Sequence, residues 1–264
     1  MAPAQQSDTQ QSVDRELFSQ FHQQVSSRLS ALDAAAAAGA FDPAIDLLAE
    51  SVKNNGVIQV FGTGHSEAFA MEVAGRAGGL IPTNKIALRT LVLRGNHQVD
   101  DLVGSSFERN PAGITELLEL TEIHPQDVFI IASNSGVNGS IVELALQVKA
   151  RGHQLIAVTS LQHTNAVNTK HSSGKRLSDL ADVVVDNLAP YGDSTLETAD
   201  GTGLGAVSSL TAAYLAQLFT IGTVARLAAS GERPPVYISA NVPGGDEHND
   251  VLEALYGQRI RRDG

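Results

Sequence analysis

The chain of 264 residues contains no cysteine. This absence excludes disulfide bonds, cysteine-ligated zinc and a thiol nucleophile. Positive charge is also scarce, since 18 Lys and Arg stand against 29 Asp and Glu and give a formal net charge of −11. Nucleic acids and anionic membranes bind clustered Lys and Arg, so neither is expected as a partner. Attraction for an anionic ligand must therefore come from local groups.

The amino-terminal residues, MAPAQQSDTQQS, show no basic segment followed by an apolar one. No secretory signal is therefore expected, and the cytoplasm is the default location. One apolar run, residues 205–229, is long enough to span a membrane, but Ser208, Gln217 and Arg226 interrupt it. Such a run favours a helix buried between layers or at a subunit interface. We therefore expect no membrane partner and at least a homodimer.

The apolar pattern along the chain predicts three regions. Residues 1–12 are polar and predict a disordered tail, and residues 13–54 predict a helical arm that breaks at Gly39. In residues 55–264, short apolar runs alternate with helical patterns. Strands are predicted at 57–61, within 86–93, and at 127–132, 155–159 and 183–186. Helices are predicted from about 67 to 77 and at 110–123, 140–150, 203–229 and 246–260.

This alternation is typical of an α/β fold. It predicts a three-layer α-β-α sandwich around a doubly wound parallel sheet. Ligands of such sheets bind beyond the carboxyl ends of the strands. Any functional residues should therefore lie in the turns that follow the strands.

Two such turns stand out, GTGHS at residues 62–66 and SNSG at residues 133–136. Each follows a predicted strand and opens a predicted helix, where unpaired N–H groups and the helix dipole favour an anion. A dinucleotide fingerprint fits poorly, because its third glycine would fall at Glu67. The simpler alternative is a plain helix cap and turn. The candidate anion-binding residues are His65, Ser66, Ser133, Asn134, Ser135, Gly136 and Asn138.

Together the two turns resemble the sugar isomerase (SIS) domain, in which GxGxS and SxSG turns hold a phosphorylated sugar. The resemblance covers about residues 57–260. Three longer segments resemble, more narrowly, a subgroup of uncharacterised SIS proteins. They are GTGHSEAFAMEVAGRAGGLIP, HSSGKRLSDLADVVVDN and SANVPGGDEHNDVLEALYGQRI. The resemblance implies a flavodoxin-like sheet, no cofactor, and a homodimer or dimer of dimers with shared active sites. It also implies aldose–ketose isomerisation through an enediol.

In several SIS relatives, a catalytic glutamate lies ten residues after the serine of the first turn. Arg76 stands at that place here, and the nearest carboxylate is Glu72, one helical turn earlier. One hypothesis gives Glu72 the proton transfer and lets Arg76 orient it or bind the anion. The alternative is a Glu72–Arg76 ion pair on the surface.

The segment GGDEHN near the carboxyl end holds the other titratable cluster. SIS relatives often place a catalytic histidine near the terminal helix and contribute it to a neighbouring subunit. His248 is therefore a candidate catalytic group, with Glu247 as its partner or as the alternative base. The simpler alternative is a helix cap with His248 exposed. A metal site would need His65 and His171 to join, so no metal is predicted.

Asp193 and Ser208 complete the candidate site. Asp193 either binds sugar hydroxyls or shapes a turn, and Ser208 adds a hydroxyl to the anion site. The favoured hypothesis is an aldose–ketose isomerase acting on a sugar phosphate or on a 6-sulfonated sugar such as sulfoquinovose. The alternatives are an etherase or lyase of amino-sugar phosphates and a non-catalytic sugar-phosphate regulator. Regulators of that kind usually carry a basic DNA-binding unit, which the acidic chain lacks.

Overall fold

The computed structural model describes residues 3–104 and 106–261. The main sheet has five parallel strands: β1 (Ile58–Gly62), β2 (Thr83–Ile86), β3 (Val128–Ala132), β4 (Gln154–Thr159) and β5 (Val183–Asp186). An antiparallel hairpin consists of β6 (Ser194–Glu197) and β7 (Gly203–Ala206). The helices are α1 (Pro3–Ala37), α2 (Asp42–Lys53), α3 (Glu67–Val73), α4 (Thr90–Leu93), α5 (Ser106–Arg109), α6 (Ile114–Glu119), α7 (Gly139–Ala150), α8 (Leu161–Ala166), α9 (Ser208–Ala229) and α10 (Gly245–Glu253).

The strand order is β2-β1-β3-β4-β5, with all neighbours parallel. The chain proceeds outward in one direction from β1 and in the other from β3, so the topological switch point lies between these two strands. Their register pairs Gly62 with Ala132, the last residue of each strand. The two polar turns therefore leave the sheet side by side, at the place where doubly wound folds bind ligands.

Helices cover both faces of the sheet, which confirms the predicted three-layer fold. On one face, α1, α2, α3 and α9 pack around a core that includes Leu48, Phe69 and Phe219. On the other face, α5, α6 and α7 pack around Phe61, Phe129 and further buried aliphatic side chains. The central strands are buried on both faces, as their continuous apolar runs predict.

The amino-terminal arm is helical. Helix α1 begins at Pro3, inside the segment for which composition predicts disorder, and it continues to Ala37. Gly39 follows with a φ of 79°, and α2 begins at Asp42 with a proline in its first turn. The break at Gly39 lies where the sequence predicts it, because a left-handed residue ends a helix readily when it is glycine. The division of the chain into three regions stays a prediction.

Two elements differ from the sequence prediction. The strand predicted within residues 86–93 lies earlier, at Thr83–Ile86, and Thr90–Leu93 is a short helix. The apolar pattern missed β2 because two of its buried side chains, Thr83 and Asn84, are polar. The Nδ2 group of Asn84 donates to Gln59 Oε1 on the neighbouring strand over 2.8 Å. A buried polar pair of this kind leaves no apolar signal.

The long helix predicted over 203–229 begins five residues later, at Ser208. Residues Gly203–Ala206 form β7 instead, and Thr195 Oγ1 donates to the carbonyl oxygen of Gly205 across the hairpin. By length and hydropathy alone, α9 is long and apolar enough to cross a membrane. It packs against α1, α2 and α3, however, and leaves Leu210 and Ile221 exposed on its outer side.

A buried ion pair fixes the carboxyl-terminal segment to the amino-terminal end of the sheet. Arg259 Nη2 donates to Asp127 Oδ1 over 2.6 Å, and the same oxygen accepts from the N–H of Val57 over 2.8 Å. The other carboxylate oxygen accepts from Gln59 Nε2 and from the N–H of His124. Asp127 is fully buried as a side chain, so its charge depends on these partners.

Replacing Arg259 by Ala should lower the free energy of unfolding by about 3–5 kcal/mol, because it leaves the Asp127 carboxylate buried without its cation. Arg226→Ala is the matched control, since Arg226 pairs with Asp42 and Asp46 at the surface. That change should cost less than about 1 kcal/mol. Urea unfolding followed by circular dichroism measures both, and equal losses would show that the buried pair does not hold the fold.

Candidate functional site

The first polar turn depends on a close backbone approach at Gly62. A Cβ atom at this position would lie 2.3 Å from the carbonyl oxygen of Ser66, so a side chain does not fit. The chain then forms a 3-10 turn over Gly64–Ser66 and continues into α3. As a result, His65 and Ser66 lie directly beyond the end of β1.

The second polar turn follows β3 and lies beside the first. Ser133 Oγ accepts from the N–H of Gly136 over 3.1 Å, which shapes the turn and leaves the hydroxyl proton of Ser133 able to donate elsewhere. Gly136 has a φ of 65°, and its carbonyl oxygen accepts from the N–H of Leu177. In the part of the chain that the structure describes, the N–H groups of Asn134 and Ser135 have no hydrogen-bond partner. These donors are suited to anion oxygens.

The two turns border one recess of about 340 Å³. It continues toward the sheet as a narrow pocket of about 20 Å³, which has room for about one water and which Phe69 and Ala212 close with apolar atoms. Asn187 also lines this inner part, and its Nδ2 donates to Asn134 Oδ1 over 3.1 Å. The structure brings most of the predicted anion-binding residues to the recess: His65, Ser66, Ser133, Asn134, Ser135, Asn138, Asp193 and Ser208.

Asp193 and Ser208 join the hairpin to the start of α9. Asp193 has a φ of 65°, and its Oδ1 accepts from the N–H groups of Val207 and Ser208 over 3.2 and 2.8 Å. Its Oδ2 accepts from the hydroxyl of Ser208 over 2.6 Å. The hydroxyl proton of Ser208 is thus directed to Asp193, and a contribution of Ser208 to anion binding stays a prediction. Asp193 could bind sugar hydroxyls or shape a turn, and these hydrogen bonds match the second of these roles.

The predicted pair Glu72 and Arg76 does not line the recess. Glu72 accepts a hydrogen bond from Gln217 Nε2 over 2.7 Å and forms an ion pair with Arg76. Because Gln217 belongs to α9, the Glu72–Arg76 pair lies where α3 packs against α9. The placement matches the alternative of a Glu72–Arg76 surface pair, and anion binding by Arg76 stays a prediction.

His248 and Glu247 also lie away from the recess. Both are in the first turns of α10, and a ring nitrogen of His248, Nε2, lies 2.9 Å from the carbonyl oxygen of Val236. Within one chain they do not reach the two polar turns. A contribution to the recess of a neighbouring subunit stays a prediction.

Sequence reasoning missed a carboxylate in the recess. Glu108 lines it from α5, and a Cβ at Gly64 would lie 3.0 Å from Glu108 Oε2, so the carboxylate sits against the first polar turn. The backbone carbonyl of Glu108 accepts a hydrogen bond from Ser140 at the start of α7. Glu108 lies in the segment between β2 and β3, outside both polar turns. No local motif in the sequence therefore predicts that it reaches the recess.

Sequence reasoning also missed His163, which reaches the recess from α8. Its Nδ1 accepts from the N–H of Gly192 over 3.0 Å, which leaves Nε2 to carry the proton of the neutral ring. Burial lowers the pKa of His163, Asp193 opposes that shift, and Lys170 adds to it. The ring is therefore neutral at pH 7 and offers a hydrogen-bond donor rather than a positive charge.

The recess contains carboxylates, but among the lining residues that the structure describes there is no cationic Lys or Arg side chain. An anion bound there depends on hydroxyls, backbone N–H groups and the starts of α3 and α7, as the net charge predicts. Within residues 3–104 and 106–261, no group of three or more His, Asp and Glu side chains is arranged to hold a metal ion.

Comparison with known proteins gives close and distant similarities. The sequence model of the SIS domain matches residues 20–160. A UPF0309 protein of Listeria monocytogenes is 39% identical over 218 residues, which cover 82% of this chain and 88% of the relative. A UPF0309 protein of Halalkalibacterium halodurans is 39% identical over 209 residues, which cover 78% of this chain and 84% of the relative.

Two solved structures share the fold at low sequence identity. The protein c3406 of E. coli CFT073, in complex with a sugar phosphate, gives a TM-score of 0.51 at 16% identity, covering 82% of this chain and 93% of that one. The phosphoheptose isomerase GmhA from Neisseria gonorrhoeae gives a TM-score of 0.50 at 16% identity, covering 82% of this chain and 99% of that one.

The pKa of His163 can be tested directly by NMR. Because burial disfavours the charged ring, His163 should titrate below its usual value of 6.5. Lys170→Gln should raise the pKa, and Asp193→Asn should lower it further. Since the folded state binds this proton less tightly than the unfolded chain, His163 should make the protein less stable as pH falls through about 6.5. Loss of the assigned signal in His163→Gln is the control, and a midpoint at or above 6.5 would contradict the burial argument.

Proposed function

The chain belongs to the SIS domain family, and we propose that it is an aldose–ketose isomerase acting on a sugar with an anionic terminus, most simply a phosphate. The observation that carries this proposal is the convergence of Ser66 and the Ser133–Ser135 turn on one recess that also contains Glu108 and His163. One part of the recess offers donors for an anion, and another offers groups that transfer and hold protons. A sugar phosphate needs both.

The phosphate is proposed to bind where the two polar turns meet. The hydroxyls of Ser66 and Ser135 make no hydrogen bond within the described part of the chain, so both are available to donate. The Ser133 hydroxyl and the N–H groups of Asn134 and Ser135 add further donors beside them. Hydrogen bonds from neutral donors to a charged acceptor are each worth about 1.5–3 kcal/mol. Several together replace the Lys or Arg that the lining lacks.

Proton transfer is proposed to depend on Glu108 and His163. The Glu108 carboxylate would take the proton from carbon 2 of an open-chain aldose and return it to carbon 1, which interconverts aldose and ketose through the enediol. Neutral His163 would give its Nε2 proton to the carbonyl oxygen on carbon 1 as that oxygen becomes negative, and would then take the hydroxyl proton from the oxygen on carbon 2 as the ketose forms. Both Glu108 and His163 are thereby returned to their starting protonation states. This assignment gives the base role to Glu108 in place of Glu72, whose carboxylate is bound by Gln217 and Arg76.

The solved structures support the class of ligand. One of them holds a sugar phosphate, and the other is named as a phosphoheptose isomerase. The closer relatives, the UPF0309 proteins, carry no reaction in their names. The fold and the recess therefore support a sugar phosphate, and the isomerase chemistry rests on Glu108 and His163. A 6-sulfonated sugar such as sulfoquinovose is a second candidate, because the same donors match a sulfonate.

An etherase of amino-sugar phosphates and a non-catalytic regulator remain the competing functions. Both would use the same anion-binding turns, so binding alone does not separate them. Proton exchange at carbon 2 separates isomerase from regulator, and the identity of the product separates isomerase from etherase.

Glu108→Gln should abolish most of the turnover while leaving ligand binding nearly intact. The panel consists of glucose 6-phosphate, arabinose 5-phosphate, N-acetylglucosamine 6-phosphate and sulfoquinovose, first screened by thermal shift and then followed by deuterium uptake at carbon 2 in D2O. Loss of a general base slows such reactions by about 10²–10⁴-fold. Glu72→Gln is the control and should retain activity. If Glu72→Gln loses activity and Glu108→Gln keeps it, Glu72 is the base. If both variants keep full activity, neither residue is the base.

Ser135→Ala should weaken binding of anionic sugars selectively. One lost hydrogen bond to a charged group predicts a rise in Kd of about 10- to 100-fold for a sugar phosphate. The Kd of the corresponding unphosphorylated sugar should change little, and calorimetry measures both. Ser173→Ala, in an exposed loop outside the recess, is the matched control. An equal change for phosphorylated and neutral sugars would show that the anion binds elsewhere.

A further inference from the structure

A second hollow lies next to the recess, between α1 and the hairpin of β6 and β7. It is an open groove of about 650 Å³. Gln20, Gln23 and Gln24 line it from α1, while Tyr191, Ser194 and Glu197 line it from the hairpin side. The proposed isomerase chemistry uses none of these side chains.

The two walls of this groove are held together by specific contacts. Arg28 Nε donates to the carbonyl oxygen of Leu188 over 3.0 Å, and its Nη1 donates to Gln24 Oε1 over 2.7 Å. The ring of Phe21 lies against the backbone of Gly205, where a Cβ would approach it to 3.1 Å. Helix α1 is thus joined to the hairpin where Phe21 lies against Gly205, and to the segment before the hairpin where Arg28 binds Leu188. The groove is therefore a formed feature of the fold.

The lining chemistry matches a neutral polyhydroxyl ligand. A glutamine amide both donates and accepts, as a sugar hydroxyl does, and three such amides lie within about one helical turn of each other on α1. The Tyr191 ring, 60% exposed, presents an apolar face and a polar tip. No Lys or Arg is among the lining residues, and Glu197 is the ionisable carboxylate there, so a second anion is disfavoured.

The groove and the recess share one wall, the segment from Tyr191 to Ser194. Tyr191 packs on the ring of His163 with ring centres 5.3 Å apart, and His163 lines the recess. Asp193 lines the recess, whereas Gly192 and Ser194 on either side of it line the groove. A ligand whose anionic end lies on the polar turns can therefore extend over this segment into the groove.

We propose that the groove binds a neutral sugar unit, and that the substrate is a sugar phosphate carrying this second, uncharged unit. The inference rests on the proposed function for the phosphorylated end. The neutral unit would lie against Tyr191 and exchange hydrogen bonds with Gln20, Gln23 and Ser194. The groove then selects disaccharide-sized phosphates over monosaccharide phosphates.

Calorimetry of the full chain with three probes tests this selection: glucose 6-phosphate and two disaccharides phosphorylated on their reducing unit, maltose 6-phosphate and cellobiose 6-phosphate. We expect at least one disaccharide phosphate to bind about tenfold more tightly than glucose 6-phosphate. The double variant Gln20→Ala/Gln23→Ala should remove that preference and leave the Kd of glucose 6-phosphate unchanged. Gln258→Ala, an exposed glutamine outside the groove, is the matched control and should keep the preference.

The outcomes distinguish the groove from the proposed function. If glucose 6-phosphate binds and neither disaccharide phosphate binds more tightly, the groove proposal is overturned while the isomerase proposal stands. If no phosphate binds, the proposed function fails, and NMR titration with neutral maltose and cellobiose judges the groove alone. Shifts of the Tyr191 ring and the Gln23 amide that disappear in the double variant would support it, and unchanged signals with both sugars would overturn it.

Discussion

The pairing of Gly62 with Ala132 in adjacent parallel strands is the constraint on which the rest of the site depends. It makes β1 and β3 end at the same level, on either side of the topological switch point. The absence of a side chain at Gly62 lets the chain turn back so closely that the Ser66 carbonyl lies over it. Two polar turns that are about 70 residues apart in sequence thus become opposite walls of one recess.

The two ends of the sheet have different roles. At the amino-terminal end, the Asp127 carboxylate joins β1, β3 and the carboxyl-terminal Arg259 in one buried network, in which each carboxylate oxygen accepts two hydrogen bonds. At the carboxyl end, the Ser66 hydroxyl and the N–H groups of Asn134 and Ser135 have no partner in the described residues. The buried carboxylate is therefore satisfied where the fold is held together, whereas these donors are left open where a ligand is proposed to bind.

Particular residues show how far the sequence predicts the site. Local patterns predict the placement of Ser66 and Ser133–Ser135, because a strand, a glycine turn and a helix start are contiguous in sequence. They do not predict that Glu108 and His163 line the recess, because each reaches it from an element with no motif of its own. The spacing from Ser66 points to Glu72 and Arg76, but α3 ends at Val73, and Glu72 is bound by Gln217 of α9. Strand β2 was misplaced because Asn84 and Gln59 bury a hydrogen-bonded polar pair.

Local patterns in the chain predict the alternation of strands and helices, the parallel three-layer fold and the two polar turns, because these follow from periodicity and from glycine and hydroxyl residues within short windows. The folded structure is needed to learn which titratable groups share the recess, that the Ser208 hydroxyl donates to Asp193, and that α1 forms a groove with the hairpin. Those outcomes depend on contacts between segments far apart in the chain. Local patterns in a sequence carry no information about which distant side chains a fold brings together.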